Sequence, residues 1–136
     1  DAALKNQAQT ILDAVGKTVW LEREEQMDAI TAVSGSGPAY VFYFLQAMQE
    51  AAVELGFDSE TGKTLALETL IGAGRLAAGS PEDFATLRAN VTSKGGTTER
   101  AIATMEAAEV RANIVKGIHA ANARSAELGN ELGKAN

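Results

Sequence analysis

The sequence has no cysteine, two prolines and a single histidine among its 136 residues. Without cysteine there is no disulfide framework, no thiolate zinc site and no cysteine nucleophile. The same absence fits a reducing compartment, and a cytoplasmic location is expected. The lone histidine, His119, has polar neighbours such as Lys116 and Asn122 and no clustered ligand partners, so no metal is expected. Positive charge is in deficit, with 12 Lys and Arg against 18 Asp and Glu and a formal net charge of -6. A broad nucleic-acid surface would need the opposite balance, so no nucleic-acid partner is expected. No apolar run is long enough to span a bilayer, and the first residues lack the charged, apolar and small-residue order of a secretory signal, so no membrane association is expected. No Ser–His–Asp or paired-carboxylate arrangement can be argued from spacing.

What the chain does contain is alanine (26 residues) and glycine (13 residues), with 46% hydrophobic and only 5% aromatic residues. This is enough apolar sequence for one domain, residues 1–136, built of helices that approach closely through small side chains. Leu4, Ala8, Ile11, Leu12 and Val15 recur at helical spacing, with Gly16 as a stop. Lys17–Glu22 is rich in β-branched and aromatic residues, including Trp20, and predicts one short strand. Such a strand needs a partner in the chain or in a second copy. Glu22, Glu24, Glu25 and Asp28 predict a solvated acidic face. A helix from about Gln26 to Val33 leads to Ser34-Gly-Ser-Gly-Pro38, a helix–turn–helix corner with proline suited to the first position of the next helix.

The segment Pro38–Leu55 is apolar on most sides, which predicts burial all round and, in so small a domain, a second subunit. A further helix runs from Asp58 or Ser59 to about Ala78, with Gly72 and Gly74 read as points of close helix approach. Ser80 as cap and Pro81 as first helical residue predict another helix, fading at Asn90–Val91. Helices from Thr98 to about Ala107 and from Val110 to Leu128 follow, and the residues from Gly129 onward predict a fraying tail.

The sharpest chemical feature is Val91-Thr-Ser-Lys-Gly-Gly-Thr-Thr98. Two glycines let several N–H groups converge, the following helix contributes its unpaired N–H groups and positive dipole end, and Ser93, Thr97, Thr98 and Lys94 add hydroxyls and charge. This suits a small anion, a carboxylate or one phosphate. An ordinary capped helix start after a flexible loop has the same signature, and both readings stand at this point. The Gly-x-x-x-x-Gly-Lys-Ser/Thr order of a phosphate loop is absent, and the Ser34–Pro38 glycines lack the third glycine and βαβ setting of a dinucleotide fingerprint.

Met27-Asp-Ala-Ile-Thr-Ala-Val-Ser-Gly-Ser-Gly-Pro-Ala-Tyr40 followed by Asn90-Val-Thr-Ser-Lys-Gly-Gly-Thr-Thr98 closely resembles pyrroline-5-carboxylate reductase, in order and in intervening distance. The likeness runs from about Leu4 to Leu128. It implies an all-α helical bundle of the 6-phosphogluconate dehydrogenase C-terminal type, with the one short strand, interlocked with a second copy as an intertwined homodimer or a larger assembly of dimers. It implies the C-terminal dimerisation and substrate-binding domain of an oxidoreductase of proline biosynthesis, which reduces 1-pyrroline-5-carboxylate to L-proline with NADPH or NADH. The N-terminal Rossmann domain that holds the cofactor is expected ahead of Asp1, so this piece alone is expected to be inactive.

By the same likeness Val91, Ser93, Gly95, Gly96, Thr97 and Thr98 bind the substrate, with Thr98 the catalytic hydroxyl near the ring nitrogen. Asn90, Ser36 and Gly37 lie toward the cofactor. The sequence departs from the family in having Lys94 where proline is common, which predicts a more mobile loop. It also departs in having Ala107-Ala108 where a glycine-containing turn is frequent, which predicts a smoother junction of the last two helices. A helical oligomerisation module with no site of its own is the competing reading. A hydroxyacid or ketopantoate reductase is a third, but no helix here presents the lysine those enzymes use as acid.

Overall fold

Each helix begins and ends on a local chemical signal, and these signals set the architecture of the computed structural model, which describes residues 2–133. The elements are α1 (Ala2–Asp13), α2 (Gln26–Ile30), a π-helical turn (Thr31–Gly35), α3 (Gly37–Glu54), α4 (Ser59–Ala78), α5 (Phe84–Asn90), α6 (Thr97–Ala107) and α7 (Val110–Gly133). Asp58 caps α4 by accepting the Thr61 N–H at 2.9 Å, and Asp83 caps α5 by accepting the Thr86 N–H at 2.7 Å. Each occupies one of the donors that a helix start leaves open. Helix α3 packs along α4, while α7 lies on the π turn and α2, and α6 lies on α7. Asp28 and Ser125, 97 residues apart, join α2 to α7 by a hydrogen bond of 2.6 Å. Asp28 therefore leaves the solvated acidic face expected of it.

Several expectations are corrected. No strand forms among the described residues. Residues 17–21 run without regular structure, and Trp20 turns back onto α1, its Nε1–H donating to the Gln9 side chain and its ring under the Lys5 ammonium at 4.7 Å. A strand needs a hydrogen-bonding edge, and a chain otherwise made of helices supplies none. The corner at Ser34–Pro38 is not a sharp glycine turn. Neither Gly35 nor Gly37 has a positive φ, and the Ser36 N–H reaches the Thr31 carbonyl at 2.8 Å across one wide helical turn. Helix α5 starts at Phe84, three residues later than Pro81, because Asp83 is the stronger cap; Ser80 Oγ instead accepts the Glu82 N–H at 3.2 Å.

Within the single described chain, the close helix approach occurs at Gly62 rather than at Gly72 or Gly74. A Cβ on Gly62 would lie 3.2 Å from both Ala52 Cβ and the Gln49 carbonyl, whereas nothing in the chain lies near the other two. The α6–α7 junction is abrupt rather than smooth: Glu109 takes the left-handed conformation at φ 53° that glycine would adopt more easily. Helix α7 continues past Gly129 to Gly133.

The chain hardly closes on itself. Among the described residues only Ala32 (1% exposed) and Ala66 (3%) are buried apolar residues, while Phe42 and Tyr43 of α3 are 67% and 79% exposed. A chain of 14.2 kDa exposes 10985 Å², against about 6,800 Å² for a compact monomer of that mass. Among the described residues, no helix is long and apolar enough to cross a membrane. This excess of apolar surface, like the groove of about 300 Å³ bounded by Phe44, Ile102, Met105, Val110 and Ile114, therefore belongs to a core the chain does not complete alone.

Candidate functional site: the glycine loop at the start of α6

Helix α5 ends as Thr92 N–H donates to the Ala89 carbonyl at 3.0 Å and Thr92 Oγ1 to the Arg88 carbonyl at 2.6 Å. These bonds satisfy the last carbonyls and turn the chain outward. Ser93 to Gly96 then forms a tight turn, closed by the Gly96 N–H on the Ser93 carbonyl at 3.0 Å. Gly95 has φ 74°, a conformation L side chains rarely adopt. At Gly96 a Cβ would crowd Ser93, meeting its Oγ and lying 3.1 Å from its carbonyl, so a side chain there would displace the Ser93 hydroxyl. Gly96 is the N-cap of α6, and the Arg100 N–H closes the first turn on its carbonyl at 3.3 Å.

This leaves a cluster of donors. Among the described residues, the N–H groups of Thr97, Thr98 and Glu99 have no acceptor in the chain, and the hydroxyls of Ser93, Thr97 and Thr98 make no hydrogen bond. They face the positive end of the α6 dipole, with the exposed Lys94 ammonium, which has no ion pair, beside them. The arrangement can hold one compact anion such as a carboxylate. Val91, at the end of α5, is 59% exposed and presents an apolar surface next to it.

The sequence expectation grouped Val91, Ser93, Gly95, Gly96, Thr97 and Thr98 as one site; the first four lie on the α5–α6 connection, and Thr97 and Thr98 open α6. Asn90 is the last residue of α5 at its edge. Ser36 and Gly37 lie at the exit of the π turn, and no hydrogen bond joins them to the loop. The Ser36 N–H is bonded to the Thr31 carbonyl, and its own carbonyl accepts the Ala39 N–H.

Two contributors were not read from the sequence. Glu99 reaches back so that Gly95 N–H donates to its Oε2 at 2.6 Å. The signal was present as an acid at the third position of a helix, the reach-back half of a capping box. Glu106 accepts from Arg88 at 3.4 Å and Arg111 at 3.2 Å, tying α5 to the far end of α6 and the start of α7, away from the loop itself. The Arg111 hydrogen bond, aided by both guanidinium charges, holds the Glu106 carboxyl below its usual range. Only the folded arrangement brings these three helix ends together. No group of three or more His, Cys, Asp or Glu able to hold a metal occurs among the described residues.

A helical bundle that leaves much of its apolar surface open defines an oligomerising domain. Comparison with known proteins places it more closely. The family model for pyrroline-5-carboxylate reductase dimerisation matches residues 24–128, and the chain belongs to that family. It is 47% identical over 133 residues to the pyrroline-5-carboxylate reductase of Pseudomonas aeruginosa, covering 98% of this chain and 49% of that protein. A solved pyrroline-5-carboxylate reductase from Coxiella burnetii superimposes with a TM-score of 0.90 at 44% identity, over 94% of this chain and 47% of that one. The Plasmodium falciparum pyrroline carboxylate reductase, solved with NADP bound, gives 0.84 at 29% identity, over 95% of this chain and 49% of that one. The chain thus spans about half the length of the relatives it matches.

Proposed function

We propose that this chain is the C-terminal dimerisation and substrate-binding half of a pyrroline-5-carboxylate reductase, and that two copies interlock to complete its core. The intact enzyme reduces the C5=N bond of 1-pyrroline-5-carboxylate to give L-proline. The observation that carries this reading is the open donor cluster at the start of α6, which has the charge and size to take the substrate carboxylate. Held there, the ring lies against Val91 and within reach of the Thr98 hydroxyl. That hydroxyl hydrogen-bonds the ring nitrogen as its charge changes, while fixed backbone donors keep the ring from rotating. The residues of this chain do not make a nicotinamide site by themselves. No strand–glycine turn–helix exists among the described residues, and Ser36, Gly37 and Asn90 are left to face the cofactor from this side. NADPH or NADH is therefore assigned to the remaining half of the enzyme.

The test is Thr98→Ala in the intact enzyme. Turnover should fall about tenfold or more while the dimer persists, since one hydrogen bond to the reacting group is removed. Unchanged turnover would refute the role given to the hydroxyl. The open apolar surface also supports a second reading, a scaffold without a site. Titration with proline separates the two: amide resonances of residues 93–98 shift if the site exists and stay fixed if the chain is only a scaffold.

A further inference from the structure

We propose that Glu99 is a positioning residue of this loop: by accepting the Gly95 N–H it locks the left-handed glycine and presets the donors that receive the substrate carboxylate. The inference rests on the function proposed above but on a different observation, the 2.6 Å bond from Gly95 N–H to Glu99 Oε2. Gly95, at φ 74°, is the residue with the most freedom to leave its observed conformation. Released, it would carry Gly96 and the first N–H groups of α6 with it. Glu99 sits at the third position of α6, one turn from the loop, so its backbone is fixed by the helix and its side chain needs only to fold back. The carboxylate takes the Gly95 N–H and leaves those of Thr97, Thr98 and Glu99 itself open. It therefore holds the loop without filling the place of the incoming anion.

Lys94 offers an independent way to stiffen the same turn. Its N–H has no acceptor in the chain and its φ is not positive, so proline at 94 would forfeit no hydrogen bond while restricting the backbone.

The experiment compares Glu99→Ala, Glu99→Gln and the double variant Glu99→Ala with Lys94→Pro in the intact enzyme, by steady-state kinetics and by hydrogen exchange at Gly95. Glu99→Ala should raise KM for the pyrroline carboxylate about three- to tenfold, the range of a lost capping bond, with kcat nearly unchanged. Glu99→Gln keeps the acceptor and should stay near the parent in both KM and Gly95 protection, and the double variant, which also loses the Lys94 charge, should recover part of the lost KM. A lower KM in Glu99→Ala would mean that the carboxylate competes with substrate, and would overturn the proposal. So would a raised KM with unchanged Gly95 exchange, or Glu99→Gln behaving like Glu99→Ala, since either would assign the effect to charge. If the parent enzyme fails to reduce the substrate, the proposed function fails by that result alone, and Gly95 exchange still decides whether Glu99 locks the loop.

Discussion

Diluting this 136-residue chain should unfold it. As described, it exposes 10985 Å², about 4,000 Å² more than a compact monomer of its mass. Obligate dimer interfaces bury from about 2,000 to more than 5,000 Å² in total, half on each partner, so a second copy seated on α3, α4 and α7 removes a large share of that excess. Residues such as Phe42, Tyr43 and Leu55 are too exposed for the single chain to persist folded without it. Unfolding is then the dissociation of a folded pair into two unfolded chains. About a hundredfold dilution destabilises that pair by about 2.7 kcal/mol through mass action. Two 136-residue chains have an unfolding entropy of about 0.6 kcal/mol/K, so Tm should fall by about 5 °C. Far-UV circular dichroism over that concentration range, with sedimentation at each end, checks the figure. Loss of helix and loss of dimer should coincide. A concentration-independent Tm, or a monomer with full helical signal, would refute the reasoning that the missing core lies in a second copy.

Other consequences are more local. Glu109→Gly places the preferred residue at φ 53° and should stabilise the fold by about 0.5–1 kcal/mol, read as a higher denaturant midpoint with unchanged slope; a lower midpoint would show that Glu109 is not strained. Hydrogen bonds from the Thr61 hydroxyl and N–H hold Asp58 below the usual carboxylate range, and the Thr86 N–H does the same for Asp83. Their folded pKa values are depressed, so their contribution is present above about pH 4 and is lost as pH falls below it. Combining Asp58→Asn with Asp83→Asn keeps the caps but removes the titration, and should flatten the acid limb of a stability–pH curve; an unaltered limb would assign acid sensitivity to other groups.

Helix punctuation was legible because it is local chemistry. Asp58 before Ser59, Gly79 after Ala78 and the double glycine before Thr97 act through atoms a few residues apart, and the structure places α3, α4 and α6 close to where the sequence predicts them. The candidate loop was legible for the same reason, since its glycines, hydroxyls and helix start are contiguous. The errors share a cause. Lys17–Glu22 has strand composition, but a strand exists only with a paired edge, and here Trp20 finds α1 instead. Pro81 and Ser80 read as a helix start, yet the competing cap at Asp83 prevails by a difference too small for pattern to resolve.

The sequence by itself determined a helical domain, poor in aromatics and too apolar along Pro38–Leu55 to be finished as a monomer. It also determined a glycine-rich helix start with open N–H groups, because backbone freedom and unpaired N–H groups follow from residue order. Only the tertiary structure decided which glycine lets two helices touch, Gly62 rather than Gly72 or Gly74, since that depends on which face of α4 meets α3. It alone brought Asp28 to Ser125 and set Glu106 between Arg88 and Arg111. It also settled how Glu99 acts: the helical spacing was in the sequence, but whether the side chain points to solvent or folds back onto Gly95 depends on the path of the loop in space.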